Sequence, residues 1–249
     1  MSVAQDDIGE IVRVCEDNCI NHIDESQSKI IKKIMWDRLK NTKSNPWSIN
    51  KLTEAYTCGC TNVKSETELE DAISITIKTM DGNNNEIELA TELVIAYSNY
   101  STNDRSPADL EIATLGTLNT LGADCTWQDI DDTIRLITKY SEKSKKGKSV
   151  LELKDATCKT LEYAHQKGLN LKTIIDNTID NVYKSEIQSA KDKYHLKIDE
   201  IKANNTGLVK TIKLLKEKIT FELHQYQPVF SAQELCDKII NSNDRVYSG

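Results

Sequence analysis

The sequence predicts a mainly α fold: long helices and helical hairpins, with one β-hairpin at about 72–92 in the N-terminal half. Three observations carry this. Glycine and proline are scarce, nine and three among 249 residues, where average usage would give about 17 and 12. Both interrupt helices, glycine through backbone entropy and proline through a missing N–H and a steric clash. Apolar residues recur at helical spacing over most of the chain, and only around Ile73–Leu89 does the period shorten to two.

Residues 6–40 read as helix, with Ile8, Val12, Cys15, Cys19 and Ile23 on one face and Ile30, Ile31, Ile34 and Leu39 continuing it. Asn45-Pro46 is a turn signal, and a short helix at about 48–56 follows. Ile73, Ile75 and Ile77 then alternate with Ser74, Thr76 and Lys78, which is strand patterning. Asp81-Gly82-Asn83-Asn84-Asn85 is a turn cluster, and Ile87 and Leu89 alternate beyond it. From Ser106 onward every segment reads as helix. Ser106-Pro107-Ala108-Asp109 is a helix start, Gly122 ends that helix, and Thr126 with Asp129 opens the next. Lys143–Lys148 forms a basic linker. A helix from about 149 ends at Gly168, and a long one spans about 171–204. Leu208–Tyr226 is another, and Ser231 with Glu234 opens the last. The expected organisation is a mixed lobe over 1–104 and an all-α lobe over 105–249. No internal repeat is expected.

Composition excludes several classes. The net charge is −7, from 32 basic and 39 acidic side chains. That argues against a surface-wide polyanion binder, while leaving room for a local basic stripe. The seven cysteines show no disulfide framework, no apolar run spans a bilayer, and the N-terminus has no apolar h-region. The expectation is a soluble cytoplasmic protein in a reducing compartment, without a membrane partner. Abundant Asn, Lys, Ile and Thr fit an AT-rich genome such as a virus or phage.

Candidate chemistry is sparse. Cys15, Cys19 and His22 share a helix face, and Cys58 and Cys60 could complete a zinc set, but the spacing matches no common short-loop pattern. There is no Walker loop, nucleotide-binding glycine fingerprint or nucleophile elbow. Glu152-Leu153-Lys154-Asp155, followed by Ala164, Gly168, Leu171 and Asn181, resembles the second half of the MazG-type all-α nucleotide pyrophosphohydrolases. The resemblance covers roughly a quarter of the chain. It implies Mg²⁺ held by paired helical carboxylates, because an i, i+3 spacing sets two oxygen ligands on one helix face. Glu152 and Asp155 match the second pair. The nearest first pair is Asp129 and Asp132, where the family has Glu-x-x-Glu.

Two lysine-rich stretches suggest RNA or DNA backbone contacts. The first holds Lys29, Lys32, Lys33, Arg38 and Lys40, and the second Lys143, Lys145, Lys146 and Lys148. Residues 182–226 carry apolar positions at spacings of three and four, as in a helical hairpin or a partner-binding arm. The leading reading is a non-enzymatic interaction or assembly protein without a cofactor, such as a viral or phage structural component, with a protein partner or its own copies. The Mg²⁺-dependent hydrolase and the RNA-binding protein are the alternatives.

Overall fold

Buried tyrosine and threonine side chains, twenty residues apart, tie the helices together in pairs. The structure is a computed structural model. It describes residues 46–81, 83–102, 104–146, 148–204 and 226–247, together with 213–214, 216–218 and 220–221. The segment 6–40, with Cys15, Cys19, His22 and the lysine-rich stretch Lys29–Lys40, lies outside the described residues.

Helices α1 (Pro46–Gly59) and α2 (Glu66–Thr79) form one hairpin. Helices α3 (Asn84–Tyr100) and α4 (Pro107–Leu121) form a second. Helices α5 (Trp127–Lys143) and α6 (Val150–Lys167) form a third. The short connections make each pair antiparallel. A single turn, α7 (Leu171–Thr173), passes through a π-helical stretch, Ile174–Thr178, into α8 (Ile179–Asn204), and α9 (Ala232–Tyr247) follows. α1 packs on α3, α3 on α5, and α5 on the π-helical stretch. In a second layer α2 packs on α4, α4 on α6, and α6 on α9. The result is a two-layer α-solenoid, in which each hairpin is stabilised mainly by its neighbours.

The expected β-hairpin at 72–92 is replaced by α2 and α3. Among the described residues no strand is present. In a strand Ile73, Ile75 and Ile77 would share a face. Here Ile73 and Ile77 are buried one helical turn apart while Ile75 is 41% exposed, so the three-residue alternation is an i, i+4 pair plus an outward isoleucine. Local capping favours the helix. Ser65 Oγ accepts from the Glu68 N–H, and the Glu68 carboxylate accepts from the Lys64 N–H. The Asp81–Asn83 cluster is a turn between helices, with Asp81 left-handed at φ 48° and Asn83 capping α3.

The stacking also reveals a sequence repeat, contrary to expectation. Tyr56, Tyr97 and Tyr140 recur about every 42 residues, a helical-hairpin solenoid period. Each is followed in constant register by a capping serine (Ser65, Ser106, Ser149), a buried leucine (Leu69, Leu110, Leu153), a buried alanine (Ala72, Ala113, Ala156) and a buried threonine (Thr76, Thr117, Thr160). The tyrosine hydroxyl meets the threonine hydroxyl at 2.8, 2.7 and 2.6 Å in the three repeats. Thr76 and Thr160 each donate to the carbonyl four residues back, so Tyr56 and Tyr140 are the donors. Burial holds all three phenols far above their ordinary pKa, keeping each hydroxyl protonated and its polar group satisfied inside the core.

A fourth repeat is interrupted. Tyr183 falls one period after Tyr140, and Ser231 opens α9 with the same reciprocal bonds to Glu234 that Ser149 makes with Glu152. Leu235 occupies the buried leucine position. Between them the chain leaves the solenoid and returns. The loops within the repeats hydrogen-bond along one edge. Thr61 and Asn62 N–H groups donate to Arg105 O, Thr102 N–H to Lys148 O, and Lys145 N–H to Phe230 O. One core cluster runs from Ile49 to Ile239. The expected 104/105 division falls in the loop between α3 and α4, inside one hairpin.

Gly59, the last residue of α1, marks a close approach between the first and second repeats. A Cβ there would lie 2.9 Å from Ser98 Cβ on α3. Gly59→Ala gains helix propensity, worth about 1 kcal/mol, but must push α1 from α3 at an overpacking cost of about 1–3 kcal/mol. The expected net result is a lower melting temperature, measured by circular dichroism. An unchanged or higher one would show that α3 yields freely.

Candidate functional site

The acids singled out in sequence serve helix starts. Asp129 Oδ2 accepts from the Thr126 N–H at 2.8 Å and Thr126 Oγ1 at 2.7 Å. Glu152 Oε2 does the same for Ser149, at 3.1 and 2.7 Å. Asp132 pairs with Arg135 at 3.2 Å and Asp155 with Lys154 at 3.0 Å. Because α5 and α6 are antiparallel, Asp129 and Asp132 sit at the edge of the loops between repeats, and Glu152 and Asp155 at the edge of the loops within repeats. A helix of 17 residues separates these edges by about 25 Å, so the fold does not bring the four carboxylates together. Among the described residues no group of three or more His, Cys, Asp or Glu is arranged to hold a metal.

The second lysine-rich stretch is partly engaged within the chain. Lys143 Nζ lies 3.4 Å from Asp180 and 4.7 Å from the centre of the Tyr183 ring, and Lys146 pairs with Glu234 at 3.6 Å. Lys145 is exposed and Lys148 half-buried on the same edge. Lys139 and Arg135 reach Asp180 and Asp176 at 3.8 and 2.5 Å. These pairs link α5 to the start of the interrupted fourth repeat. They are half-exposed and worth little each in stability, but they set register.

Three of the described cysteines are held in the thiol form. Burial pushes the Cys60 thiol up to about 12, with Glu68 adding to the effect. Burial also raises Cys125 and Cys236, and a raised thiol is a poor nucleophile. A groove of about 450 Å³ between α1 and α3 is lined by Lys51, Cys58, Thr91, Glu92, Ile95 and Arg105. Arg105 Nη1 donates to Ser98 O at 2.6 Å, fixing the groove floor.

Two surfaces stand out instead. The first is the excursion between α8 and α9. α8 has 26 residues, about 39 Å of helix. Its main packing partners among the described residues are the π-helical stretch and α9, with Glu186 held by Lys238 at 2.5 Å. Along the excursion Tyr194, Leu196, Ile201, Leu214, Phe221 and Val229 are exposed, Leu196, Leu214 and Phe221 by about two thirds (67%, 68% and 64%). Sequence patterning identified the long helix that ends at Asn204; most of the expected helix Leu208–Tyr226 lies outside the described residues. It did not show which apolar residues would stay uncovered.

The second surface is the outer face of α2 and α4. Ile75 and Ile112 are exposed, at 41% and 49%, beside Asp71 and Glu111. The first two repeats, 46–126, hold thirteen acidic and four basic side chains. Partial burial, and then the neighbouring Asp71, hold the Glu111 carboxyl above its ordinary range. A carboxyl raised on folding contributes stability fully present below its unfolded pKa and lost as pH rises through the folded value. Glu111→Gln is therefore expected to melt higher than the native chain at neutral pH, with the difference shrinking at about pH 4. Thermal melts across that range check this; a variant less stable at neutral pH would contradict it.

No helix among the described residues is long and apolar enough to cross a membrane. Comparison with family models, with curated proteins and with solved structures returned no match.

Proposed function

We propose that the chain is a non-enzymatic scaffold, a helical-repeat body that holds out an apolar arm for protein contacts. The observation that carries this reading is the arm. A body with a continuous core interrupts its last repeat to present large apolar side chains to solvent. Exposed apolar clusters of this kind mark interaction surfaces. The solenoid supplies a rigid base, since the first three described hairpins are each locked by a buried Tyr–Thr bond and joined to the next along a hydrogen-bonded edge. The separation of the four candidate acids and the raised thiols give a catalytic reading less support.

A photo-reactive side chain placed at Leu196, Leu214 or Phe221 tests the scaffold reading in cells producing the full chain. Discrete protein adducts from these positions are expected, and none from an exposed control such as Gln166 on α6. Adducts absent at all three arm positions would sink the reading.

A further inference from the structure

The arm and the outer face of the first two repeats are complementary in both charge and polarity. Residues 188–225 carry eight lysines and five acids, and the stretch 208–221 has four lysines against one glutamate. Lys193, Lys197, Lys213, Lys216 and Lys218 are exposed beside Leu196, Leu214 and Phe221. The arm is thus basic and apolar. The face on α2 and α4 is acidic and apolar: Asp71 and Ile75 project from α2, Glu111 and Ile112 from α4, and α2 packs directly on α4.

The two surfaces belong to opposite ends of the described repeats. The arm leaves the fourth repeat, and the acidic face lies on the first and second. The arm's helix α8 packs mainly on the π-helical stretch and α9, so among the described residues the complementary surfaces do not pack on each other within one chain. We infer that the partner of the arm is a second copy of this chain, docked by its α2–α4 face to give a head-to-tail assembly. The contact joins two different surfaces, so a pair of copies still has one unused arm and one unused face, and the assembly grows until it closes as a ring or continues as a filament. The lysines and acids steer and register the contact, and salt screens them. The exposed isoleucines, leucines and phenylalanine supply the buried apolar centre.

This inference rests on the scaffold reading and names its partner. Sedimentation velocity of the full chain over a range of concentrations, at low and high salt, is the test. Two variants accompany it: an arm variant carrying Leu214→Glu and Phe221→Glu, and a face variant carrying Ile75→Lys and Ile112→Lys. All four side chains are exposed, and melting curves like the native one confirm folding. The native chain is expected to form oligomers that grow with concentration and dissociate at high salt, and each variant alone to stay monomeric. Mixed together, the two variants should form a dimer and stop there, because one intact arm meets one intact face. A native chain that stays monomeric at all concentrations overturns the inference. So does a face variant that still assembles, a mixture that stays monomeric, an assembly that salt does not weaken, or one that nuclease dissolves. Arm cross-links to other proteins, without a second copy among them, would overturn head-to-tail assembly and leave the scaffold reading standing.

Discussion

Tyr97→Ala is expected to destabilise the chain by about 3–5 kcal/mol, the range for removing a large buried ring, and to split its unfolding into two steps. Tyr97 is fully buried in the second of the repeats, and its hydroxyl bonds Thr117 at 2.7 Å. The substitution therefore opens a cavity and leaves a buried hydroxyl without its partner. In a solenoid, stability is roughly a sum of repeat terms and neighbour terms, so a central lesion uncouples the two sides. Domains of this kind have only about 5–15 kcal/mol in total, and the loss is therefore large. Tyr97→Phe keeps the ring and is expected to cost only about 1 kcal/mol. The same truncation at Tyr56 strikes the first described repeat and should lower the midpoint while leaving one transition. Thermal melts by circular dichroism, with hydrogen exchange to place the transitions, decide it. A single cooperative transition for Tyr97→Ala, shifted no more than that of Tyr97→Phe, would show that the Tyr–Thr pair does not lock the stack.

That pair also shows what the sequence hides. The helix starts at Ser106, Thr126 and Ser231 are legible because a cap is a local hydrogen bond between residues three apart. The repeat is not legible in the same way. Its markers are a tyrosine, a serine, a leucine, an alanine and a threonine spread over about 42 residues, each an ordinary helix residue. Their common role, a bond across the hairpin, exists only once two helices pack. Ile73, Ile75 and Ile77 mislead for a related reason. Three alternating positions satisfy a strand, yet they also satisfy one i, i+4 pair of core residues and one outward side chain. The choice falls to Ser65 and Glu68 at the cap. Asp129 and Glu152 illustrate a second ambiguity. An acid three residues into a helix serves a capping box and a metal pair equally well by spacing. Only the antiparallel course of α5 and α6 reveals that their starts lie at opposite edges. Lys143 and Lys146 were legible as charge, but their partners Asp180 and Glu234 are distant in sequence. The long helix α8 was legible from its apolar spacing; that Leu196, Leu214 and Phe221 stay exposed was not.

Excising residues 188–225 and joining the ends with a short Gly/Ser linker is expected to leave the solenoid folded and to abolish its assembly. The ends of the excursion are close. Ile187 lines one groove together with Tyr226 and Gln227, and the Tyr183 and Phe230 rings meet edge to face with centroids 6.3 Å apart. A few linker residues can therefore span the gap, and a shorter loop lowers the entropy of closing it. The fourth repeat keeps its own supports. Ser231 and Glu234 still open α9, Lys159 still pairs with Asp237 at 2.6 Å, and Tyr163 still donates to Asp244 at 2.9 Å. The melting temperature should change by no more than about 2–4 °C, equivalent to about 1 kcal/mol for a body of this size. The sedimenting species should be a monomer at every concentration and salt level. The two readouts separate the roles of the arm. A fall in melting temperature of more than about 10 °C would make the arm a structural brace of the fourth repeat. Oligomers that persist without it would move the contact to the body. Only a stable, cooperative monomer is consistent with a segment whose apolar side chains serve another chain and not their own.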